Sequence, residues 1–289
     1  MGSLSRITDD LLTWGLPRLR DFPWRATRDP WHVLVSEIML QQTNVGRVHG
    51  RFERFVALAP TPAACAERPL ADLLVEWQGM GYPRRCRNIQ EAAKVIVDRH
   101  GGEVPRDLDA LMALPGIGPY TARAVLAFAF GEDAAVVDTN VARVISRVEG
   151  RALKPRETQA LADEMLPSGL ARDWNQVIMD FGATLCVARS PRCGECPVAK
   201  KCRWKGRGED PARTTAFTSR PQGRFEGSDR QARGKLMKAL TMGGVSAESL
   251  ATVMEIDDPS RAQQLARSLA NDGLIEESEG FYRLSSSSR

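Results

Sequence analysis

The residues best suited to chemistry lie between Leu111 and Arg143. Leu114-Pro115-Gly116-Ile117-Gly118 separates two helical patterns. Leu108, Leu111 and Met112 are apolar at helical spacing before it, and Pro115 with Gly116 stops that run. A second helix is expected from near Tyr120, with Ala124, Val125, Ala127 and Phe128 on its buried side. Gly116 and Gly118 can take positive φ and let a partner approach the backbone. The N–H groups opening the second helix point outward, where an anion is favoured. A DNA phosphate fits such a hairpin, which would position a strand without reading its sequence. Asp138 stands just before a further helical run, where backbone N–H groups favour an ionised carboxylate. A carboxylate there suits a developing cation. The plain alternatives are a packing turn for the hairpin and a simple N-cap for Asp138.

A second carboxyl makes those alternatives weaker. Pro30 to Gln42, PWHVLVSEIMLQQ, reads as a strongly apolar helix with Val33, Ile38, Met39 and Leu40 in the core. Glu37 lies inside it with no basic residue three or four positions away. A buried carboxylate without a partner is costly, so Glu37 is expected at an open site or protonated. Further on, Cys186, Cys193, Cys196 and Cys202 are spaced C-x6-C-x2-C-x5-C. Four thiols in one short loop signal a metal site. Zinc knuckles usually pair two CxxC motifs, and only one is present, so a [4Fe–4S] cluster fits the spacing better. Cys65 and Cys86 stand apart as ordinary thiols. Arg189, Arg192, Lys200, Lys201, Arg203 and Lys205 surround the loop and suit a phosphate backbone.

These groups need a scaffold, and the remaining pattern supplies a mainly helical one. The chain has 289 residues, 43% hydrophobic and 26% charged, with a formal charge of only +4, so clustering of basic residues matters more than their sum. No apolar run approaches a membrane span, and the N-terminus lacks the shape of a signal peptide. No membrane role and a cytoplasmic setting are therefore expected, in which disulfides are disfavoured. Helices are expected over 6–20, 30–42, 46–58, 70–77, 85–100, 107–113, 120–130, 139–148, 157–166 and 173–186, with no strand in the first 200 residues. From Arg203 to Ser228 the apolar period disappears, which reads as a basic linker bearing Arg207, Arg213, Arg220 and Arg224. Three short helices over 230–241, 246–254 and 259–272 follow, then two strands around Glu279-Gly280, a winged-helix-like α+β pattern. The expected division is 1–202, 203–228, 229–284 and a disordered tail at 285–289.

The glycine hairpin, the aspartate after it and the four-cysteine loop together resemble the helix-hairpin-helix DNA glycosylase superfamily that includes endonuclease III and MutY. The resemblance covers roughly residues 20–205. It is strongest to the MutY, adenine-removing branch in Pro23-Trp24-Arg25, Ser36-Glu37-Ile38-Met39-Leu40-Gln41-Gln42-Thr43, Gly79-Met80-Gly81-Tyr82 and Val137-Asp138-Thr139-Asn140. It implies a helix-hairpin-helix glycosylase core with a [4Fe–4S] loop, acting as a monomer on double-stranded DNA that carries a mispaired or damaged base. Adenine opposite 8-oxoguanine or guanine would be flipped out and its N-glycosidic bond hydrolysed. Glu37 would protonate adenine N7 with a raised pKa, and Asp138 would stabilise the sugar cation.

The resemblance also distributes the smaller roles. Bifunctional relatives carry a lysine nucleophile where this chain has Tyr120, so a monofunctional enzyme is implied, with Tyr120 packed near the sugar. Asn140 would orient water or Asp138. Gln42 and Tyr82 correspond to wedge residues, and Trp24, Arg25, Leu40, Val45 and Gln176 to the adenine pocket. Relatives that remove thymine from mismatches tend to differ at Gln41, Gln42, Val45 and Gln176, which favours adenine over the thymine alternative. A non-catalytic DNA-binding protein would be expected to lose one of the two acids. Gly116, Gly118, Arg84 and Arg85 would face DNA phosphates. Pro83 replaces a second tyrosine usual there. The larger C-terminal domain that helps full-length members recognise 8-oxoguanine is not visible, and the winged module or the linker arginines would compensate.

Overall fold

The computed structural model describes residues 3–215, 217 and 223–286, so Arg220 and residues 287–289 of the expected tail lie outside the described residues. Two units are formed, each from separate stretches of chain. One comprises Met1–Pro30, Arg106–Leu108 and Gly118–Pro221, the other Trp31–Pro105, Asp109–Ile117 and Gln222–Arg289.

The first unit is built around the helix Thr139–Glu149, in which Val141 to Val148 are all buried. Its apolar residues meet Ile7 and Leu11 from Ser3–Gly15, Met165 from Pro155–Met165, and Trp174, Val177 and Phe181 from Ala171–Thr184. Asp138 is the N-cap and Gly150, at φ 69, ends the helix. The helix after the hairpin spans Pro119–Val125, with Pro at its start, and continues as a π-helical turn over Leu126–Phe130. Ala124, Val125 and Ala127 are buried as expected, whereas Phe128 is only half-buried, because the wider π turn rotates it off the core face.

In the second unit Pro30–Leu40 is the central helix. Val33 to Met39 are buried on every side, as befits a helix that packs all round, but Leu40 at its last turn is half-buried. The single helix expected over 46–58 is two, Val45–Val48 and Arg51–Leu58, broken where Gly50 takes φ +75. A short helix, Pro62–Glu67, was not legible from periodicity; Thr61 caps it through the Ala64 N–H. Arg84–His100 is long and ends at Gly101.

The C-terminal stretch of this unit has helices Asp229–Leu240, Leu250–Met254 and Pro259–Asn271 and an antiparallel sheet ordered 245–246, 281–284, 275–278. The hairpin turns through Glu279 and Gly280, both at positive φ. The strand at Val245–Ser246 is an addition to the expected pair. Among the described residues no strand precedes it.

One close approach ties the first unit's scaffold to its chemistry. A Cβ on Gly182 would stand 2.8 Å from Asn140 Cβ and 3.1 Å from the Asn140 carbonyl oxygen, so only glycine lets the two helices meet here. Gly182→Ala should therefore destabilise the protein by about 1–3 kcal/mol through overpacking, despite alanine's better helix propensity. Denaturant midpoints of the two proteins measure it.

Candidate functional site

Asp138 sits at a point where the fold supplies donors on both sides. Its Oδ1 accepts the Val141 N–H at 2.7 Å and its Oδ2 accepts Asn140 Nδ2 at 2.7 Å. Asn140 is held in turn by Arg143 Nη2, which donates to its Oδ1 at 2.7 Å and to the Gly182 carbonyl at 2.7 Å. Arg143 Nε reaches the Cys186 carbonyl at 2.9 Å. The donors favour the ionised carboxylate, as the sequence suggests, yet burial of the carboxyl outweighs them and holds its pKa above the ordinary value. Tyr120 is half-buried in the first turn after the hairpin, with Gly118 as the N-cap and Gly116 at φ +77 packed against Asn88.

Trp24 is buried and stacked on Phe22 at 4.9 Å. Arg25 donates to both oxygens of Asp180, at 2.8 and 2.9 Å, and Arg20 adds two more bonds from its guanidinium and one from its backbone N–H. These arginines hold Asp180 below the usual carboxylate range in spite of its burial. Gln176 is buried one helical turn before Asp180, on the same face. The structure thus brings Arg25 and Gln176 to one side of Ala171–Thr184, with Trp24 beside Arg25 on the short helix Pro23–Ala26 and Asp180 as a member that sequence reasoning missed. An acid within the apolar run WNQVIMDF carried the same signal as Glu37.

In the second unit Glu37 is 6% exposed amid the apolar residues of Pro30–Leu40. Gln42 is exposed, Tyr82 is 39% exposed, and Val45 is half-buried. Arg84 remains largely exposed and lies 3.6 Å from Asp272, which also pairs with Arg233 at 2.7 Å and accepts Arg87 Nη1 on its carbonyl at 2.8 Å. Arg85 is different from its expected role. It is buried, with its guanidinium bonded to main-chain carbonyls and to Thr43, and burial lowers its pKa to about 10. It does not face a phosphate. On Arg84–His100 the apolar phase that includes Ile89, Ala93 and Ile96 turns residue 85 inward.

The four cysteines line one recess, together with Phe181, Leu185, Val198 and Trp204. Among the described residues no three His, Cys, Asp or Glu side chains are placed as a single metal ion would need them. Burial pushes the Cys196 thiol up to about 11 and the Cys186 thiol up as well, so a bound group has to displace their protons. Donors already point at two sulfurs, with Arg147 Nη1 on Cys186 Sγ and the Lys205 N–H on Cys202 Sγ, both at 3.4 Å. A soft four-thiol set with N–H donors fits an iron–sulfur cluster. When bound, the cluster braces the loop 186–202. Arg147 is 1% exposed and bonds the Cys186 and Val187 carbonyls and Asp210. Through it residues 203–210, which lack an apolar period, fold back on Thr139–Glu149: the Arg203 and Trp204 N–H groups donate to Val148 and Arg147.

Comparison with known proteins agrees with this geometry. Residues 35–168 match the HhH-GPD superfamily base excision DNA repair protein model, and residues 186–202 match the iron-sulfur binding domain of endonuclease III. An adenine DNA glycosylase of Mycolicibacterium smegmatis is 43% identical over 275 residues, covering 93% of this chain and 92% of that protein. The solved structure of a thermostable thymine-DNA glycosylase superposes with a TM-score of 0.68 at 34% identity, over 71% of this chain and 97% of that one. A non-covalent endonuclease III–DNA complex gives 0.63 at 29% identity, over 71% and 98%. The chain belongs to the helix-hairpin-helix superfamily of base excision DNA repair proteins, within its adenine DNA glycosylase family. It carries a [4Fe–4S] site.

Removing Arg147 leaves Asp210 and the cluster-loop carbonyls without their buried donor. Arg147→Ala should cost about 3–5 kcal/mol and lower the iron content per chain. Arg147→Lys should fall between it and the wild type. Iron assay and the visible absorbance of the purified proteins report both.

Proposed function

We propose that this adenine DNA glycosylase of base excision repair hydrolyses the N-glycosidic bond of adenine mispaired with 8-oxoguanine or guanine in double-stranded DNA. The observation that carries the reading is a pair of carboxyls held in different ways. Glu37 is buried on the apolar helix Pro30–Leu40, and Asp138 is fixed by hydrogen-bond donors on both oxygens. Glycoside hydrolysis divides labour in that way, one carboxyl assisting the leaving group and the other stabilising an oxocarbenium-like sugar. Glu37 gives its proton to adenine N7, the bond from the base to C1′ breaks with its electrons going to the base, and water adds at C1′, releasing the proton that restores the acid. Asp138 holds the sugar cation in between, with Asn140 orienting its carboxylate.

The base leaves the helix first. Gln42 and Tyr82 wedge into the vacated stack, and Trp24, Arg25, Leu40, Val45 and Gln176 form the base pocket, Arg25 acting through Asp180. The hairpin at Gly116 and Gly118, with Arg84, grips phosphate. Tyr120 stands where an amine nucleophile would be needed, so no Schiff base forms and the strand is not cut. The enzyme acts as a monomer, in the cytoplasm at the nucleoid, with its core before residue 203 and a winged module over 229–284. No helix among the described residues is long and apolar enough to cross a membrane.

Single-turnover assays on duplexes with A opposite 8-oxoguanine, A opposite G and T opposite G test the reading. Wild type should release adenine and leave the strand intact, and Glu37→Gln and Asp138→Asn should each slow release by about 100-fold or more. Thymine release instead would reject the proposed substrate.

The pH dependence follows from burial. Asp138 works ionised, and its raised pKa means that acidification protonates it at a higher pH than an exposed aspartate near about 3.9. Activity should fall through that raised value as pH drops. Arg143 lowers this pKa by its charge, so Arg143→Met should move the acid limb of the rate profile to still higher pH.

A further inference from the structure

Arg85 gathers two exposed loops onto one buried guanidinium. Its Nη1 donates to the carbonyls of Ile38, Met39 and Gln41 at 2.9, 3.0 and 2.6 Å. Its Nη2 donates to Thr43 Oγ1 at 2.8 Å and to the carbonyls of Met80 and Gly81 at 3.2 and 3.1 Å. The first group closes the C-terminal end of Pro30–Leu40, whose last carbonyls have no partner within the helix. The second closes the turn that leads into Arg84–His100. The Trp77 and Tyr82 rings flank the cation at 5.3 and 5.5 Å.

Each loop then carries a non-glycine residue in the left-handed region, immediately after a clamped carbonyl. Gln42 has φ 52 and follows Gln41; Tyr82 has φ 49 and follows Gly81. Side chains rarely adopt that backbone, and it persists where the surroundings over-determine it. The two residues held this way are both exposed.

We propose that Arg85 is a positioning residue for base extrusion, which locks the Gln42 and Tyr82 loops to each other so that both side chains enter the DNA stack as one rigid wedge. The proposal rests on the assignment of Gln42 and Tyr82 to the wedge. The planar fork of arginine spans six oxygens on two loops; a lysine ammonium, a compact charge with three donors, does not. The role is distinct from the chemical step, because neither loop residue needs to touch the scissile bond.

The test compares wild type, Arg85→Lys, Thr43→Val, Gln42→Ala and Tyr82→Ala on two substrates. One has adenine paired opposite 8-oxoguanine. The other has adenine in an unpaired bubble, where extrusion costs little. Fluorescence of 2-aminopurine beside the target reads unstacking, and single-turnover rates read excision. Arg85→Lys should lose the unstacking signal and slow excision from the duplex on the order of 100-fold, while excision from the bubble stays near wild type; Gln42→Ala and Tyr82→Ala should lose the unstacking signal on the duplex. Thr43→Val keeps side-chain volume and removes one acceptor, so it should show the same split more weakly; it decides the matter if Arg85→Lys does not fold. Arg85→Lys and Thr43→Val slowing both substrates alike would overturn the proposal in favour of a general structural role. Normal unstacking in those two variants, with loss in Gln42→Ala and Tyr82→Ala, would overturn it while leaving the wedge standing. Normal unstacking in Gln42→Ala and Tyr82→Ala would remove the wedge itself and the proposal with it.

Discussion

Buried guanidinium groups bonded to main-chain carbonyls tie the helical part of this fold together. Helix ends and the loops between helices leave carbonyls that no ladder satisfies. Arg85 takes those of Ile38, Met39, Gln41, Met80 and Gly81; Arg143 takes those of Thr139, Gly182 and Cys186; Arg147 takes those of Cys186, Val187 and Ala188. Arg172 does the same for Phe128, Arg25 and Thr27. Gln42, Tyr82, Asp138 and Asn140 each stand next to one of these groups or on a segment that one of them pins. Burying a cation is costly, and a planar donor with five N–H groups offsets that cost where several oxygens converge.

The same principle explains how much was legible. Asp138 and the helix after it follow local rules, an N-cap before an apolar period, and the structure matches them. Glu37 and the four cysteines are anomalies of composition against their neighbours, which a sequence displays directly. The basic run at Arg84, Arg85 and Arg87 was ambiguous because charge says nothing of direction. The helical phase did: Arg85 shares a face with Ile89 and Ile96, and Arg84 does not. Gly182 and Asp180 could not be assigned without tertiary contacts, since the reason for one is an approaching Asn140 and the role of the other depends on two arginines 155 and 160 positions away.

The C-terminal module shows the limit of reading charge as destination. Its hairpin presents Glu276, Glu277 and Glu279 to solvent, an array that repels phosphate. Asp272 instead engages Arg84 and Arg87, and a Cβ on Gly273, which has φ +65, would stand 3.0 Å from Arg87 Cζ. The module's basic counterpart is thus on its own chain. Through Asp272 it holds the start of the helix Arg84–His100.

Catalysis by this arrangement asks for two kinds of rigidity. A carboxylate that stabilises a cation has to be fixed in place before charge develops, because a preorganised group loses nothing to reorientation in the transition state. Asp138 meets that requirement through Asn140, Arg143 and the carbonyl of Cys186, a sequence of short bonds that ends on the iron–sulfur loop. The proposed wedge, by contrast, would act on the duplex and have to resist force from it; the loops that carry Gln42 and Tyr82 are both bonded to the buried Arg85 cation. In each case the group that anchors is buried and differs from the group assigned to act: Arg85, Arg143 and Arg147 hold main-chain carbonyls, and none of them is assigned to the reacting atoms.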